Sequence, residues 1–422
     1  MTGSRNNAIR AWERVIQGPG LGRRVSALYG SLYLHYGIYG VFMPLWFQQK
    51  GITSAQIGTL LALPTLLRIV FVAPVTALAD RLRRIREVLF CCVALTCALV
   101  FVLDHVSGYV DLLFFFTLFA VAWDPLPILA DGYASAAVRV RGIDFGRMRL
   151  WGTIALVAVS IVGGRVLDRI GIERVPDMTG ALLLAPLLVL PFAPPDCLFG
   201  ESAKALPGEW RSILRDRSAM LVLIGIAILM GSNAILLGFS SIQWAAKGIS
   251  NGNIGLLYGV AAVSEVAVFS VAQAILGRRS ELLLLVFGAA MTTVRWVGLA
   301  TNPGMGVLVV LALLQGPAGT TTIAGSVLYI ARRFPTHLVA TANGVNAVFV
   351  GLAVALGMFA GGYLWGAMKA LSYLPMAAMS GLALAIFLIA VRRQAPLGRT
   401  PLRLNGSGAA CDLGTHRRGP KP

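Results

Sequence analysis

Five ionisable side chains stand inside long apolar runs of this 422-residue chain: Arg68, Asp124, Asp131, Glu265 and Arg295. A charge near a bilayer centre costs at least about 2.5–3.5 kcal/mol on insertion scales, so each needs a partner, a wet cavity or a function. A carboxylate held there can gain and lose a proton as its access to water changes. A guanidinium offers a planar fork that grips a carboxylate bidentately. Glu265 and Arg295 fall on neighbouring runs, so two readings stand side by side. Either Glu265 carries a proton whose release Arg295 tunes, or the two form a permanent structural ion pair. Their depths differ by about 10 Å at the helical rise, which leaves direct pairing open. Arg68 is read as gripping a bound anion, with pairing to Asp124 or snorkelling as the alternative. Asp131 follows Asp124 by seven residues, so both face one side of a helix, with Asp131 nearer the solvent.

Polar aromatics gather on the first apolar run. Tyr29, Tyr33, Tyr36 and Gly40 share one face at helical spacing, with His35 and Tyr39 beside it. Tyr29 sits at interfacial depth, where membrane aromatics collect. Tyr33 and Tyr36 lie deeper and suit ring stacking in a cavity, to which Gln243, Trp244, Asn343 and Asn346 are further candidates. His35 reads as a packing residue. No metal and no cofactor is expected, since the four histidines and five cysteines show no ligand spacing. No Walker pattern is present, which argues against nucleotide-driven work.

The elements that position these groups follow from composition. Hydrophobic residues make up 57% of the chain and charged residues 13%, against about 25% charged in soluble domains. About 20 apolar residues span a bilayer core. Runs of that kind occur near 26–48, 54–77, 87–103, 110–129, 146–164 and 178–194. A second set lies near 219–240, 252–276, 281–300, 304–330, 338–366 and 370–391. The net charge of +18 is not a nucleic-acid footprint, because the Lys and Arg lie in short clusters between apolar runs. Twelve crossings place 28 of the 36 Lys and Arg on the side of the termini, six on the other side and two within spans. Both termini are therefore expected in the cytoplasm. The first 25 residues are polar and basic, so the first run reads as an anchored helix and not a cleaved leader.

The polar segment 195–218 divides the spans six and six. The expected organisation is an N-tail over 1–25, a six-helix bundle over 26–194 and a central cytoplasmic loop over 195–218. A second six-helix bundle follows over 219–391, then a basic, Gly- and Pro-rich disordered tail over 392–422. The fold class is an all-α membrane protein of twelve helices in two bundles. One chain holds both bundles, so a monomer in the lipid bilayer is the default.

The loop Thr76-Ala77-Leu78-Ala79-Asp80-Arg81-Leu82-Arg83-Arg84 resembles the loop signature of the major facilitator superfamily, with Thr76 and Arg83 in place of its glycines. The pseudo-repeat keeps only Gly277-Arg278-Arg279. The resemblance implies a conformational latch at Asp80, with Arg81 and Arg84 beside it; a topogenic basic loop is the alternative. Asp144-Phe145-Gly146-Arg147-Met148-Arg149-Leu150-Trp151-Gly152 is similar to a segment shared by three branches. These are sugar permeases related to lactose permease, nucleoside–proton symporters and phenylpropionate permeases. Five further segments resemble the phenylpropionate-permease branch most: Tyr36-Gly37-Ile38, Pro44-Leu45-Trp46, Gly238 to Trp244, Ser264-Glu265-Val266 and Val294-Arg295-Trp296. The likeness runs from about Tyr29 to Ala390. It implies that Arg149 grips the substrate, with Asp124 as its carboxylate partner. Trp123, Pro125 and Pro127 depart from the sugar-permease pattern and bend the helix at cavity depth.

These features together lead to an expectation of a bacterial inner-membrane permease that imports a small organic solute with protons. An aromatic monocarboxylate similar to phenylpropionate is the leading substrate. Glu265 and Asp124 would carry the proton, and Arg68, Arg149 or Arg295 the anion, as the bundles rock about a midplane site. Two rivals stand beside this reading: a proton-antiport exporter of the same fold, disfavoured by the lack of proline within 146–164, and a transport-dead sensor or membrane-embedded enzyme. An enzyme would want clustered His, Asp or Cys at one interface, and the C-tail is too short for an output domain.

Overall fold

The computed structural model describes residues 20–82, 84–193, 210–276, 280–335 and 337–394, and every regular element among them is helical. The expected N-tail up to residue 19, the segment 194–209 and the tail from residue 395 lie outside the described residues. In the first half run α1 (Gly20–Gln49), α2 (Ser54–Leu82), α3 (Ile85–His105), α4 (Tyr109–Trp123), α5 (Pro125–Arg141), α6 (Phe145–Ile170) and α7 (Val175–Val189). The second half holds α8 (Trp210–Arg215), α9 (Arg217–Gly231), α10 (Ala234–Ala246), α11 (Asn251–Leu276), α12 (Glu281–Ala300), α13 (Met305–Leu313), α14 (Gln315–Arg333), α15 (Val339–Met368) and α16 (Tyr373–Gln394).

Ten stretches of described chain are long and apolar enough to cross a bilayer. Three of these are broken spans: α4 with α5, α9 with α10, and α13 with α14. The last stretch, Val339–Arg393, turns at the 3-10 segment Lys369–Ser372 into α15 and α16. α1 is not among the ten, because Tyr29, Tyr33, His35, Tyr36 and several glycines dilute its apolar run. Large apolar side chains face outward where lipid takes the place of water; Val110 and Leu188 are each 72% exposed.

Several boundaries differ from the sequence expectation. α1 begins at Gly20, inside the expected N-tail, and α16 reaches Gln394. The expected loop 195–218 contains α8 and the start of α9. Ile213 on α8 is fully buried, and Asp216 accepts bonds from the backbone amides of Ser218 (3.1 Å) and Ala219 (3.0 Å). That cap starts α9 where charge alone suggested loop. The span expected to stop at 129 runs on as α5 to Arg141 and ends at Gly142, whose φ of +62° suits a residue without Cβ.

Two ends of the molecule differ in how the halves meet. At the end bearing the chain termini, each half keeps its own core. One is built on Leu28, Trp123, Leu126 and Tyr133, the other on Leu223, Leu285, Tyr329 and Phe387. At the opposite end a single apolar cluster unites both halves, with Phe42, Trp46 and Phe116 packed alongside Phe239, Trp244 and Trp365. There α6 packs on α11 and α2 on α15 with backbones almost touching. A Cβ on Gly255 would lie 1.9 Å from the Ser160 carbonyl oxygen, and one on Gly58 would lie 2.7 Å from the Met358 carbonyl oxygen. Only glycine permits that approach. The halves are thus closed at one end and parted at the other.

Candidate functional site

Each half breaks its fourth span at a polar residue followed by proline. In the first half α4 stops at Trp123, Asp124 forms the corner, and Pro125 opens α5. In the second, α13 stops at Leu313 and Gln315-Gly316-Pro317 opens α14. Proline removes one intrahelical bond and frees the carbonyl four residues earlier. For Pro317 that carbonyl belongs to Leu313, and Ser264 Oγ on α11 donates to it at 2.6 Å. Gly316 makes room, since a Cβ there would sit 2.2 Å from that hydroxyl. Ser264→Ala would leave the Leu313 carbonyl unpaired inside the protein, and we expect a stability loss of about 1–2 kcal/mol. The midpoint of thermal unfolding in detergent measures it; an unchanged midpoint would mean that the break needs no such support.

The residue after Ser264 faces the same break. Glu265 Oε1 accepts a bond from Gln315 Nε2 at 2.7 Å. Arg295, one span over on α12, is 4% exposed and lies over the Trp296 ring at 4.8 Å. A relay of contacts fixes that ring. Trp296 Nε1 donates to Ser232 Oγ (3.1 Å), the ring stacks on Tyr373 at 5.9 Å, and the Tyr373 hydroxyl lies 2.5 Å from Ser240 Oγ. Cation–π contact steadies the guanidinium while its fork stays available to a ligand. Glu265 and Arg295 face one cavity, but among the described residues no ion pair joins them; Gln315 takes the carboxylate instead. The permanent ion pair considered from the sequence is thereby absent.

That cavity lies between the halves and measures about 180 Å³. Its polar lining comes from Glu265, Arg295 and Gln315, its rings from Tyr36, Trp244 and Tyr258, and the remainder from leucine, alanine, valine and glycine. Tyr36 is contributed by the first half, and the polar trio by the second. Tyr258 is anchored through its hydroxyl to the Leu236 carbonyl at 3.1 Å.

A second polar group lies in the first half, toward the end where the bundles part. Tyr29 donates to Asp131 Oδ1 at 2.5 Å, and Arg149 Nη1 is 3.8 Å from the same oxygen. Arg149 therefore takes Asp131 as its carboxylate, not Asp124 as the family likeness implied. Seven positions along the chain separate the two acids, and Arg149 on the second turn of α6 lies level with the lower one. Asp131 is accordingly a bonded residue and not merely a solvated one. Asp124 stands at the helix corner within electrostatic reach of Arg68, and Tyr33 is within reach of both Arg68 and Arg149.

Other expected residues fall elsewhere. Gln243 is buried but bonds through Nε2 to Asn302 Oδ1 at 2.9 Å, in the connection between α12 and α13. Asn343 is exposed and donates to the Val339 carbonyl of its own helix at 3.0 Å. Neither it nor Asn346 lines the cavity. Among the latch residues, Arg81 is exposed on the last turn of α2, Arg84 pairs with Glu87 at 3.0 Å, and the Asp80 side chain lies outside the described residues. His35 is fully buried edge-on to Trp123, with 3.9 Å between ring centroids.

Sequence reasoning missed Gln315, Tyr258 and Tyr373 at this site. A signal for Gln315 existed: the Gln-Gly-Pro triplet repeats, in the second half, the polar-residue-and-proline break at Asp124. The two tyrosines carry no such mark, since an isolated tyrosine in a span reads as packing.

Three comparisons bear on this arrangement. The model of the MFS_1 like family matches residues 25–374. The probable 3-phenylpropionic acid transporter of Escherichia coli (strain K12) is 26% identical over 343 residues, covering 80% of this chain and 89% of that protein. The maltose permease of Geobacillus stearothermophilus is 24% identical over 344 residues, covering 79% and 85%. Among solved structures, the nucleoside transporter NupG superposes with a TM-score of 0.77 at 16% identity, covering 88% of this chain and 99% of that one.

Proposed function

The chain belongs to the MFS_1 like family and is a transporter of the major facilitator type, and we propose that within it this protein imports a small aromatic monocarboxylate together with protons. The single observation that carries this reading is the cavity between the halves. It offers one buried guanidinium for an anion, one carboxylate for a proton and three rings for an apolar body. Its volume suits one ring with a short acidic arm. An apolar cavity of roughly 150 Å³ in another protein accommodates benzene, and this one is about 180 Å³. A disaccharide, with two hydrated rings, demands more room and more polar partners than the apolar lining provides. The name of the Escherichia coli relative points the same way.

In this reading twelve spans cross the bacterial inner membrane, with α1 as the first and α15 and α16 as the last two. Both termini lie in the cytoplasm, so the present state opens inward. The ring lies among Tyr36, Trp244 and Tyr258, and its carboxylate takes the Arg295 fork. Glu265 carries the proton; its ionised form accepts from Gln315 and its protonated form does not repel an incoming anion. Arg149, Arg68 and Tyr33 line the exit toward the cytoplasm, where Asp124 is a second carboxylate within reach of Arg68. Opposed charges in that exit pair with one another once the substrate has left.

Uptake of labelled 3-phenylpropionate into proteoliposomes tests the reading. The wild-type protein should accumulate it when the outside is acidic, and the corresponding amide should not compete. Arg295→Ala should weaken apparent affinity roughly 100-fold, as expected when a bidentate, charge-assisted hydrogen bond is removed from a dry site. Competition by the amide as strong as by the acid would sink the carboxylate assignment.

A further inference from the structure

We propose that Asp168 is a latch that holds the two halves together at the end opposite the termini, by capping a helix that belongs to the other half. It stands on the last turns of α6, and its carboxylate reaches across the boundary between the bundles. Oδ1 accepts from the backbone amide of Asn251 at 2.7 Å, and Oδ2 from that of Gly252 at 3.0 Å. These two amides open α11, the helix that carries Ser264 and Glu265.

The first amides of any helix have no partner within it and must find one outside. In α11 the preceding Ser250 accepts from Asn253 through its Oγ at 3.4 Å and from Ile254 through its carbonyl at 2.9 Å, and the first turn contains no acidic residue. The partner for Asn251 and Gly252 is therefore supplied by the opposite bundle. An anion at the start of a helix is also stabilised by the aligned peptide dipoles. Both contributions exist only while the halves are closed at that end.

The surrounding packing is built for this approach. A Cβ on Gly252 would lie 2.8 Å from Arg165 Cγ and 3.2 Å from Asp168 Oδ2. One on Gly164, a turn before Asp168, would lie 2.4 Å from the Asn251 carbonyl oxygen. Glycines thus bring the α11 start within reach of the carboxylate, and opening toward that side must break both bonds together. Alternating access requires this end to open once per cycle, so the strength of the Asp168 cap sets how often the empty carrier faces that way. The latch does not depend on the substrate or on Glu265; only its assignment to the external face rests on the topology proposed above.

The test uses the full chain with its five cysteines replaced and a single reporter, Ala261→Cys, on the cavity wall. A membrane-impermeant thiol reagent is added to right-side-out vesicles. Asp168→Asn keeps the shape but not the charge, and labelling should quicken about tenfold, the scale of charged hydrogen bonds discounted for an exposed site. Asn251→Pro deletes one of the two amides at the helix position that best tolerates proline, and should quicken labelling too. Combined with Asp168→Ala it should add little beyond the aspartate change alone, because both remove the same interaction. Size-exclusion profile and thermal midpoint establish that each variant is folded. Labelling of Asp168→Asn at the wild-type rate overturns the proposal, as does full additivity in the double variant or acceleration from the terminus side alone.

Discussion

Glu265→Gln is expected to abolish accumulation driven by a pH gradient, by about 100-fold or more, while exchange of internal for external substrate continues. Glutamine at this position is neutral at every pH and resembles the protonated carboxyl in shape. A carrier that is permanently in the loaded form can still pass substrate back and forth, but it has nothing to release that would make the cycle one-way. The geometry makes Glu265 the stronger candidate of the two proposed carboxylates. It lines the cavity with Arg295 and touches Gln315 at the second-half helix break, whereas Asp124 stands at the first-half break with Arg68 in reach. Proteoliposomes with and without an imposed gradient, beside a counterflow assay, separate the two activities. Gradient-driven accumulation retained in Glu265→Gln, with Asp124→Asn abolishing it, would move the proton to the first half.

The second large effect is expected at a residue that touches no ligand. Gly255→Ala places a methyl 1.9 Å from the Ser160 carbonyl oxygen, and neither backbone can yield without parting α6 from α11. Overpacking of this kind costs about 1–3 kcal/mol. Here the strain is relieved by opening the end that is closed in this structure, so the population shifts by roughly 10- to 100-fold toward the state open on that side. Uptake should fall in proportion, because the carrier seldom returns to the state closed at this end. Substrate binding and thermal stability should survive, since the separate cores of the two bundles at the terminus end are untouched. Gly58→Ala should act alike, through the Met358 carbonyl oxygen at 2.7 Å. Normal uptake by both variants would show that the close approach of the helices is incidental to the cycle.

Opening and closing at this end depend on two different kinds of interaction. The glycine pairs set how near the helices come, and the Asp168 cap gives that nearness a polar bond. Removing either should favour the same state by a different route. The capped helix also carries Glu265, so the proposed proton site and this closure share one rigid element. Coupling between them needs no further machinery than the movement of α11 as a body.

The amino-acid sequence by itself determined the membrane class, the all-helical build and the suspicion attached to Arg68, Asp124, Glu265 and Arg295. The reason is that a bilayer makes burial a matter of composition. Long apolar runs can only be spans, and a charge within one is costly enough to be conspicuous without any neighbour in view. The bends at Asp124-Pro125 were legible for the same local reason, because proline acts on its own helix. What the tertiary structure alone decided is partnership. Arg149 meets Asp131 and not Asp124, Glu265 meets Gln315 and not Arg295, and Gln243 is drawn to Asn302, away from the cavity. Each of those outcomes turns on a few ångströms of depth and rotation between helices remote in the chain, which no spacing along one helix encodes. The Asp168 cap was invisible for a stronger reason: an aspartate at a span end reads as solvated until the start of another helix is placed upon it.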